Sequence, residues 1–249
     1  MDGPILKVTH LKKSFSGNLI HNDVNFELKK GESLGLLGGS GTGKSVLLRA
    51  IISLELINQG KITYRDNEIQ NLLNEKKHSQ LCKSISYSFQ SGALFDSKNV
   101  FENLSFPLLE HTSLTLQKVK EKVAHMLKLI GLEGIEELMP SDLSGGMQKR
   151  VGMARALILD PEIILYDEPT AGLDPSNTQK VVELMKTLKQ SGQSSIFVTH
   201  DIQSAKSFCD RLLILKDGKI FFNGTPQDFE SSKDPEVMKF FMNSQGANS

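Results

Sequence analysis

Long apolar runs are missing from this 249-residue chain. Its most apolar stretches, VLLRAIISLELI and RLLILKDGKIFF, are short and carry charges, well below the roughly 20 apolar residues that a membrane-spanning helix needs. No segment is expected to span a bilayer, so any membrane association has to come through a docking partner. An excess of one charge sign is missing too. Lys plus Arg and Asp plus Glu both number 29, which argues against a nucleic-acid surface or an acidic partner. The opening MDGPILKVTH shows neither a basic start nor an apolar core, so no secretory signal is visible and the chain is expected to stay in the cytoplasm. Cysteine is scarce: Cys82 and Cys209 are far apart and lack metal-ligand spacing, as ordinary small apolar residues in a reducing compartment would be.

What is present is alternation. ILKVTHLKKSF, VNFELKKGE and SLGLLG read as strands separated by Lys-Gly and Gly-Glu punctuation. A glycine loop from Gly38 then leads into a helix through KSVLLRAIISLE, followed by strands at GKITYRD and SISYSFQ. In the middle of the chain Leu116, Val119, Val123, Met126, Leu127 and Ile130 recur at helical spacing, and Gly131 marks the stop. From Pro161 onward, EIILYDEP and SSIFVTH read as buried strands, PSNTQKVVELMKTLKQSG and DIQSAKSFCD as helices, and LLILKDGKIFF as a hairpin on Asp-Gly. Strands alternating with helices predict an α/β fold, a parallel sheet with helices on its faces and the helical middle as an insertion. The tail DPEVMKFFMNSQGANS predicts a short helix with Val237, Met238, Phe240 and Phe241, then a frayed polar end.

Chemistry concentrates at strand ends. GGSGTGKS, that is Gly38, Gly39, Ser40, Gly41, Thr42, Gly43, Lys44 and Ser45, fits G-x-x-x-x-G-K-[ST] between a predicted strand and a predicted helix. Its glycines let backbone N–H groups wrap phosphates, Lys44 reaches the β- and γ-phosphates of a nucleotide, and the Ser45 hydroxyl ligates Mg²⁺. IILYDEP ends in two adjacent carboxylates, at the sheet edge where α/β ligands bind. Asp167 suits Mg²⁺. Glu168 is expected to point elsewhere, since side chains alternate along a strand, and to polarise an attacking water. His200 ends the next strand and is a candidate sensor of the γ-phosphate. Gln90 closes SYSFQ, where a neutral amide can touch both metal and water. Phe15 is a candidate base-stacking residue.

LSGGMQKR, Leu143 to Arg150, is a second glycine turn opening a helix whose apolar positions are Val151, Ala154 and Ile158. Ser144 can cap that helix, and the turn offers N–H groups and a hydroxyl to an anion, but it carries no lysine of its own at the loop. Alone it should hold triphosphate weakly. It is half of something.

In order along almost the whole chain, these pieces resemble the ATP-binding cassette (ABC) ATPases. GGSGTGKS corresponds to Walker A, Gln90 to the Q-loop, LSGGMQ to the signature, IILYDE to Walker B, AGLD to the D-loop and His200 to the switch histidine. The resemblance implies a P-loop NTPase fold of ABC type, with a mostly parallel core sheet, an N-terminal antiparallel β-subdomain and an inserted α-helical subdomain. Residues 1–225 would form one ATPase domain, with about 91–155 helical, and 226–249 a C-terminal extension. It implies ATP and Mg²⁺ as cofactors, with Ser45, Gln90 and Asp167 at the metal. It also implies a head-to-tail homodimer, in which Ser144, Gly145 and Gly146 contact the γ-phosphate held by the other copy's Lys44, Glu168 acts as base, Phe15 holds the adenine and Asp174 links the two sites. Ala171 and Gly172 stand where Ser and Ala are usual, and Met147 where Gln is commonest. Neither departure removes a catalytic group.

GGSGTGKSVL, FQSGALFDSKNVFENLSFPLLEHT, LMPSDLSGGM and the terminal DPEVMKFF look like the Mla/Mce-type ATPases, Mkl-type proteins included, which move lipids between membranes. That narrower resemblance implies transmembrane permease subunits, an Mce-domain substrate-binding protein and a small STAS-type regulatory subunit as partners. It places the chain at the cytoplasmic face of the inner membrane, as a peripheral subunit with no nucleic acid. Leu94, Phe95, Val100, Phe101, Leu104 and Phe106 form an apolar stretch directly after Gln90, more than a core needs and suited to a groove for a partner's helix. The alternatives are an importer of a small solute such as an amino acid, a cassette acting on ribosomes or DNA, and a binding module without turnover.

Overall fold

The computed structural model describes residues 3–72 and 74–245, with side chains to residue 240. The expected polar end beyond Gln245, and the side chain of Phe241, lie outside the described residues. Two sheets organise the chain. β1 (Leu6–Phe15) pairs antiparallel with β2 (Asn18–Leu28) and with β4 (Gln59–Tyr64), which pairs with β5 (Asn67–Glu68). The β1–β2 turn has positive φ at both Ser16 and Gly17, 46° and 85°, the twist that suits a two-residue hairpin.

The second sheet runs β10-β9-β3-β8-β7-β6, made of β3 (Ser33–Leu37), β6 (Ile85–Ser88), β7 (Ile163–Asp167), β8 (Ser194–Val198), β9 (Arg211–Lys216) and β10 (Lys219–Gly224). All its pairings are parallel except the β9–β10 hairpin. Every residue of β3, β7 and β8 is buried, as expected for strands covered on both faces. Alternation divides them between two cores. Ile163 and Leu165 join Leu34 and Leu36 against α1 (Lys44–Ile51) and the antiparallel sheet, while Ile164 and Tyr166 face the helices.

Those helices are α3 (Val100–His111), α4 (Leu116–Leu129), α5 (Gly145–Leu157), α6 (Pro175–Gln190) and α7 (Ile202–Phe208). They share one continuous apolar cluster with the sheet, and buried Val119, Val123, Met126 and Leu127 supply α4's share. Asn99 begins α3 with a reciprocal cap: its side chain accepts from the Glu102 N–H at 2.8 Å and its own N–H reaches Glu102 at 2.9 Å. Several elements differ from the sequence expectation: β2 begins at Asn18 rather than Val24, and α3 occupies a stretch read only as apolar. α1 stops at Ile51 rather than running to Glu55, because the N–H groups of Leu54 and Glu55 both turn back to the Arg49 carbonyl. α2 (Glu75–Ser84) and α8 (Pro226–Ser231) are helices that the apolar pattern hid, since Leu81 and Phe229 are the buried residues on them. The tail helix, α9 (Pro235–Gln245), is present and buries Val237. Among the described residues no helix is long and apolar enough to cross a membrane.

Candidate nucleotide site

The loop from Gly38 to Gly43 links the C-terminal end of β3 to α1. Its glycines are sterically required at two points. A Cβ on Gly38 would lie 2.7 Å from the Leu215 carbonyl, and Gly43, at φ 94°, would meet Ile20 at 2.5 Å. Lys44 folds over the loop and donates to the Gly38 and Gly39 carbonyls at 2.9 and 3.0 Å. Burial lowers its ammonium pKa, while the Glu168 and Asp167 carboxylates oppose that shift.

Asp167 ends β7 beside the start of α1. Its Oδ1 accepts the Ser45 hydroxyl at 2.9 Å and its Oδ2 accepts the Tyr87 hydroxyl from β6. Burial, then the bond to Asp167, pushes the Tyr87 phenol well above its ordinary range, so it stays a donor. Glu168 follows at φ 49°. This left-handed turn, rather than strand alternation, sends its carboxylate away from Asp167 and to His200, whose Nδ1 lies 2.8 Å from Glu168 Oε2. Since a carboxylate only accepts, Nδ1 carries the proton in this contact.

Two adjoining cavities, each about 560 Å³, share Ser45 and Gln90. Ser40, Gly41, Gly43, Lys44, Glu168 and His200 line one. Tyr87, Asp167, Arg49 and Lys149 line the other, with Lys149 donating to the Ala171 carbonyl. The structure therefore brings the phosphate loop, Gln90, Asp167, Glu168 and His200 together. Tyr87, Arg49 and Lys149 were not singled out from sequence, although a tyrosine alternating with small serines just before Gln90 was a visible signal for the first.

Phe15, Ser144, Gly145, Gly146 and Asp174 line neither cavity. Phe15 is 41% exposed with the Lys13 ammonium 4.2 Å from its ring centre. Ser144 caps α5 through the Met147 N–H at 3.3 Å. Asp174 caps α6 through the N–H groups of Ser176 and Asn177, whose backbone bond is the main reason its pKa falls. Asn177 bonds Asp174 at 2.5 Å and packs over Gly146, where a Cβ would lie 3.0 Å from its amide carbon. The two turns meet through this contact, outside the lining of both cavities.

His21 on β2 supports the loop from below. It is fully buried, with Nε2 3.1 Å from the Gly43 carbonyl and Nδ1 without a hydrogen-bond partner among the described residues. Burial holds its pKa near 4 rather than 6.5, against the opposing Gly43 bond, with Lys13 adding to the decrease. The unfolded chain therefore binds the extra proton between those values. The contribution of this group to stability is full above about pH 6.5, falls by about 3 kcal/mol as pH drops to about 4, and levels below that. Urea midpoints across that range should fall less steeply for His21→Leu than for the native chain; parallel slopes would exclude this origin.

The donor set also fits a hard cation. Among the described residues no group of three or more His, Cys, Asp or Glu side chains could hold a metal. Ser45 and Asp167 instead offer two oxygens, leaving the other positions to phosphate and water, as Mg²⁺ prefers.

Residues 21–171 match the ABC transporter family. The intermembrane phospholipid transport system ATP-binding protein MlaF of Haemophilus influenzae is 35% identical over 241 residues, covering 96% of this chain and 91% of that protein. A probable amino-acid ABC transporter ATP-binding protein of the same organism is 36% identical over 242 residues, covering 96% and 94%. Among solved structures, the ATP-binding cassette MJ0796, dimeric in a post-hydrolysis state bound to ADP and Pi, superposes with a TM-score of 0.82 at 30% identity, covering 89% of this chain and 98% of that one. A phosphate loop, a carboxylate pair and a strand-end histidine thus lie around two adjoining cavities, and the chain belongs to the ABC transporter family as an ATP-binding subunit with ATPase activity.

Proposed function

We propose that two copies of this chain pair head to tail, hydrolyse ATP between them and drive lipid movement through a membrane permease. The observation that carries the pairing is that, within one chain, Ser144, Gly145 and Gly146 take no part in lining the cavity around Lys44. Each nucleotide would be held by one copy's Gly38–Ser45 loop, with Phe15 against the base, and by the other copy's Ser144, Gly145 and Gly146 at the γ-phosphate. Asp174, exposed at the same surface, would connect the two sites. Ser45 and Asp167, with Gln90, would hold Mg²⁺, which supplies charge neutralisation on phosphate oxygens. Glu168 would accept a proton from the attacking water, while His200 holds the carboxylate in place and senses the γ-phosphate. ATP favours the closed pair because it touches both copies, and loss of the γ-phosphate removes that difference.

Residues 91–155 would transmit this motion. Val100 and Leu104 are core, but Phe95 and Phe106 are 42% and 38% exposed and stack edge-on at 5.2 Å, beside Leu109. Buried Asn103 fixes the loop beneath them by bonding both the N–H and the carbonyl of Phe95. An aromatic ledge that close to Gln90 suits a permease helix. Phe106→Glu is expected to leave the ATPase of the purified chain intact while weakening recovery with its membrane partner by about 10–100-fold. Undiminished co-purification would exclude the ledge.

Lipid cargo is supported by the motifs around Gly38, Gln90 and Ser144 and by the likeness to MlaF. An amino-acid cargo is the second reading, favoured by the relative of nearly equal identity. In either case the chain would sit peripherally on the cytoplasmic face of the inner membrane. Purifying the intact complex from its native membrane separates the two. Permease, an Mce-domain protein, bound lipid and a STAS-type subunit would support the first reading; a solute-binding protein with amino acid and no Mce partner would overturn it.

A further inference from the structure

We infer that Tyr87 is a positioning residue for the metal site: its hydroxyl pins one oxygen of Asp167 so that the other stays aimed at Ser45. The inference rests on the reading of Ser45 and Asp167 as the magnesium-holding pair.

Strand geometry puts the groups together. Tyr87 on β6 stands in register with Leu165 on β7. Asp167 lies two residues further along the same face, within diagonal reach of a long side chain. The phenol covers that distance and donates to Asp167 Oδ2, while the Ser45 hydroxyl donates to Oδ1 at 2.9 Å. Each carboxylate oxygen therefore has one side-chain donor, and the two donors come from different elements, β6 and α1. With only the Ser45 bond, the carboxylate could turn about its last torsion and present either oxygen. With both, its plane is fixed.

The same phenol ties the site to Gln90. β6 is the outer strand of its sheet, with β7 its neighbour there. The Tyr87 ring packs on Phe89 at 4.4 Å between centres, and Phe89 immediately precedes Gln90. The bond to Asp167 thus joins the carboxylate of β7 by a side chain to the strand that carries Gln90, in addition to the β6–β7 ladder. Groups that orient a metal ligand commonly change metal affinity or activity by about 10–100-fold when removed.

The test compares Tyr87→Phe and Tyr87→Leu with the native full-length chain. Binding of a non-hydrolysable ATP analogue is followed by fluorescence, first in EDTA and then as MgCl₂ is added, and thermal melts confirm folding. In Tyr87→Phe, affinity in EDTA should stay within about twofold of native, while the half-saturating Mg²⁺ concentration rises about tenfold. The Mg²⁺ dependence of ATP hydrolysis should shift by the same factor. Tyr87→Leu, which also removes the ring from Phe89, should shift at least as far. If Tyr87→Phe matches native and only Tyr87→Leu shifts, ring packing is the cause and the inference falls. A tighter Mg²⁺ response in Tyr87→Phe also overturns it, since the hydroxyl would then only be drawing charge from the carboxylate. If the native chain itself shows no Mg²⁺ response in either readout, the assignment of Ser45 and Asp167 fails, and this inference with it.

Discussion

Glu168→Gln should bind ATP with near-native affinity, hydrolyse it about 10²–10⁴-fold more slowly, and accumulate as a two-chain complex when ATP and Mg²⁺ are present. The substitution is nearly isosteric. The amide oxygen can still accept from His200, whose Nδ1 lies 2.8 Å away, and Gln tolerates the backbone at φ 49° about as well as Glu does. Basicity is what disappears. Removing a negative charge beside Lys44, which Glu168 helps to keep protonated, should if anything favour a bound triphosphate. Single-turnover assays with size-exclusion chromatography check both halves of the expectation. Turnover within a few-fold of native would remove Glu168 from the role of base, whatever the chromatography showed.

Ser144→Arg carries the second large effect. Hydrolysis should fall at least about 10²-fold, the scale of losing oriented donors at a developing phosphate charge, while a single chain keeps its affinity for nucleotide. The reason is spatial: Ser144 is exposed at the start of α5 and lines neither cavity around Lys44. The cap it gives the Met147 N–H is lost as well, at about 1 kcal/mol. Ser144→Ala loses the same cap without the guanidinium and serves as the control. Equilibrium binding at protein concentrations too low for pairing separates the two contributions, and a comparable loss of ATP affinity there would refute the half-site reading.

Much of this site was legible because its chemistry sits at the ends of short, strongly patterned strands. Gly38–Ser45, Asp167, Glu168 and His200 each follow an apolar run, and each lies where such a strand leaves the sheet. What stayed hidden depends on contacts between distant residues. Tyr87 reaches Asp167 only because β6 lies beside β7, 80 positions away in sequence, and no local pattern encodes strand order. His21 fell between the two strands read from the sequence, and its role depends on β2 starting as early as Asn18 and passing beneath Gly43. α2 escaped for the opposite reason: it is mostly solvated, and one buried leucine is too little to register a helical period. In α3, Pro107 within the helix and a nearly continuous apolar stretch masked an element that its Asn99–Glu102 cap announced. Glu168 was given the right direction by the wrong cause, since alternation along a strand cannot foresee a left-handed residue.

That left-handed residue sets folding against work. A non-glycine side chain held there costs about 1–2 kcal/mol, and glycine would relieve it. Glu168→Gly should therefore yield a sturdier protein that no longer hydrolyses ATP. Among random variants ranked by yield or heat resistance, those that have lost this carboxylate would rise toward the top, so a screen for robust behaviour would quietly select against the activity.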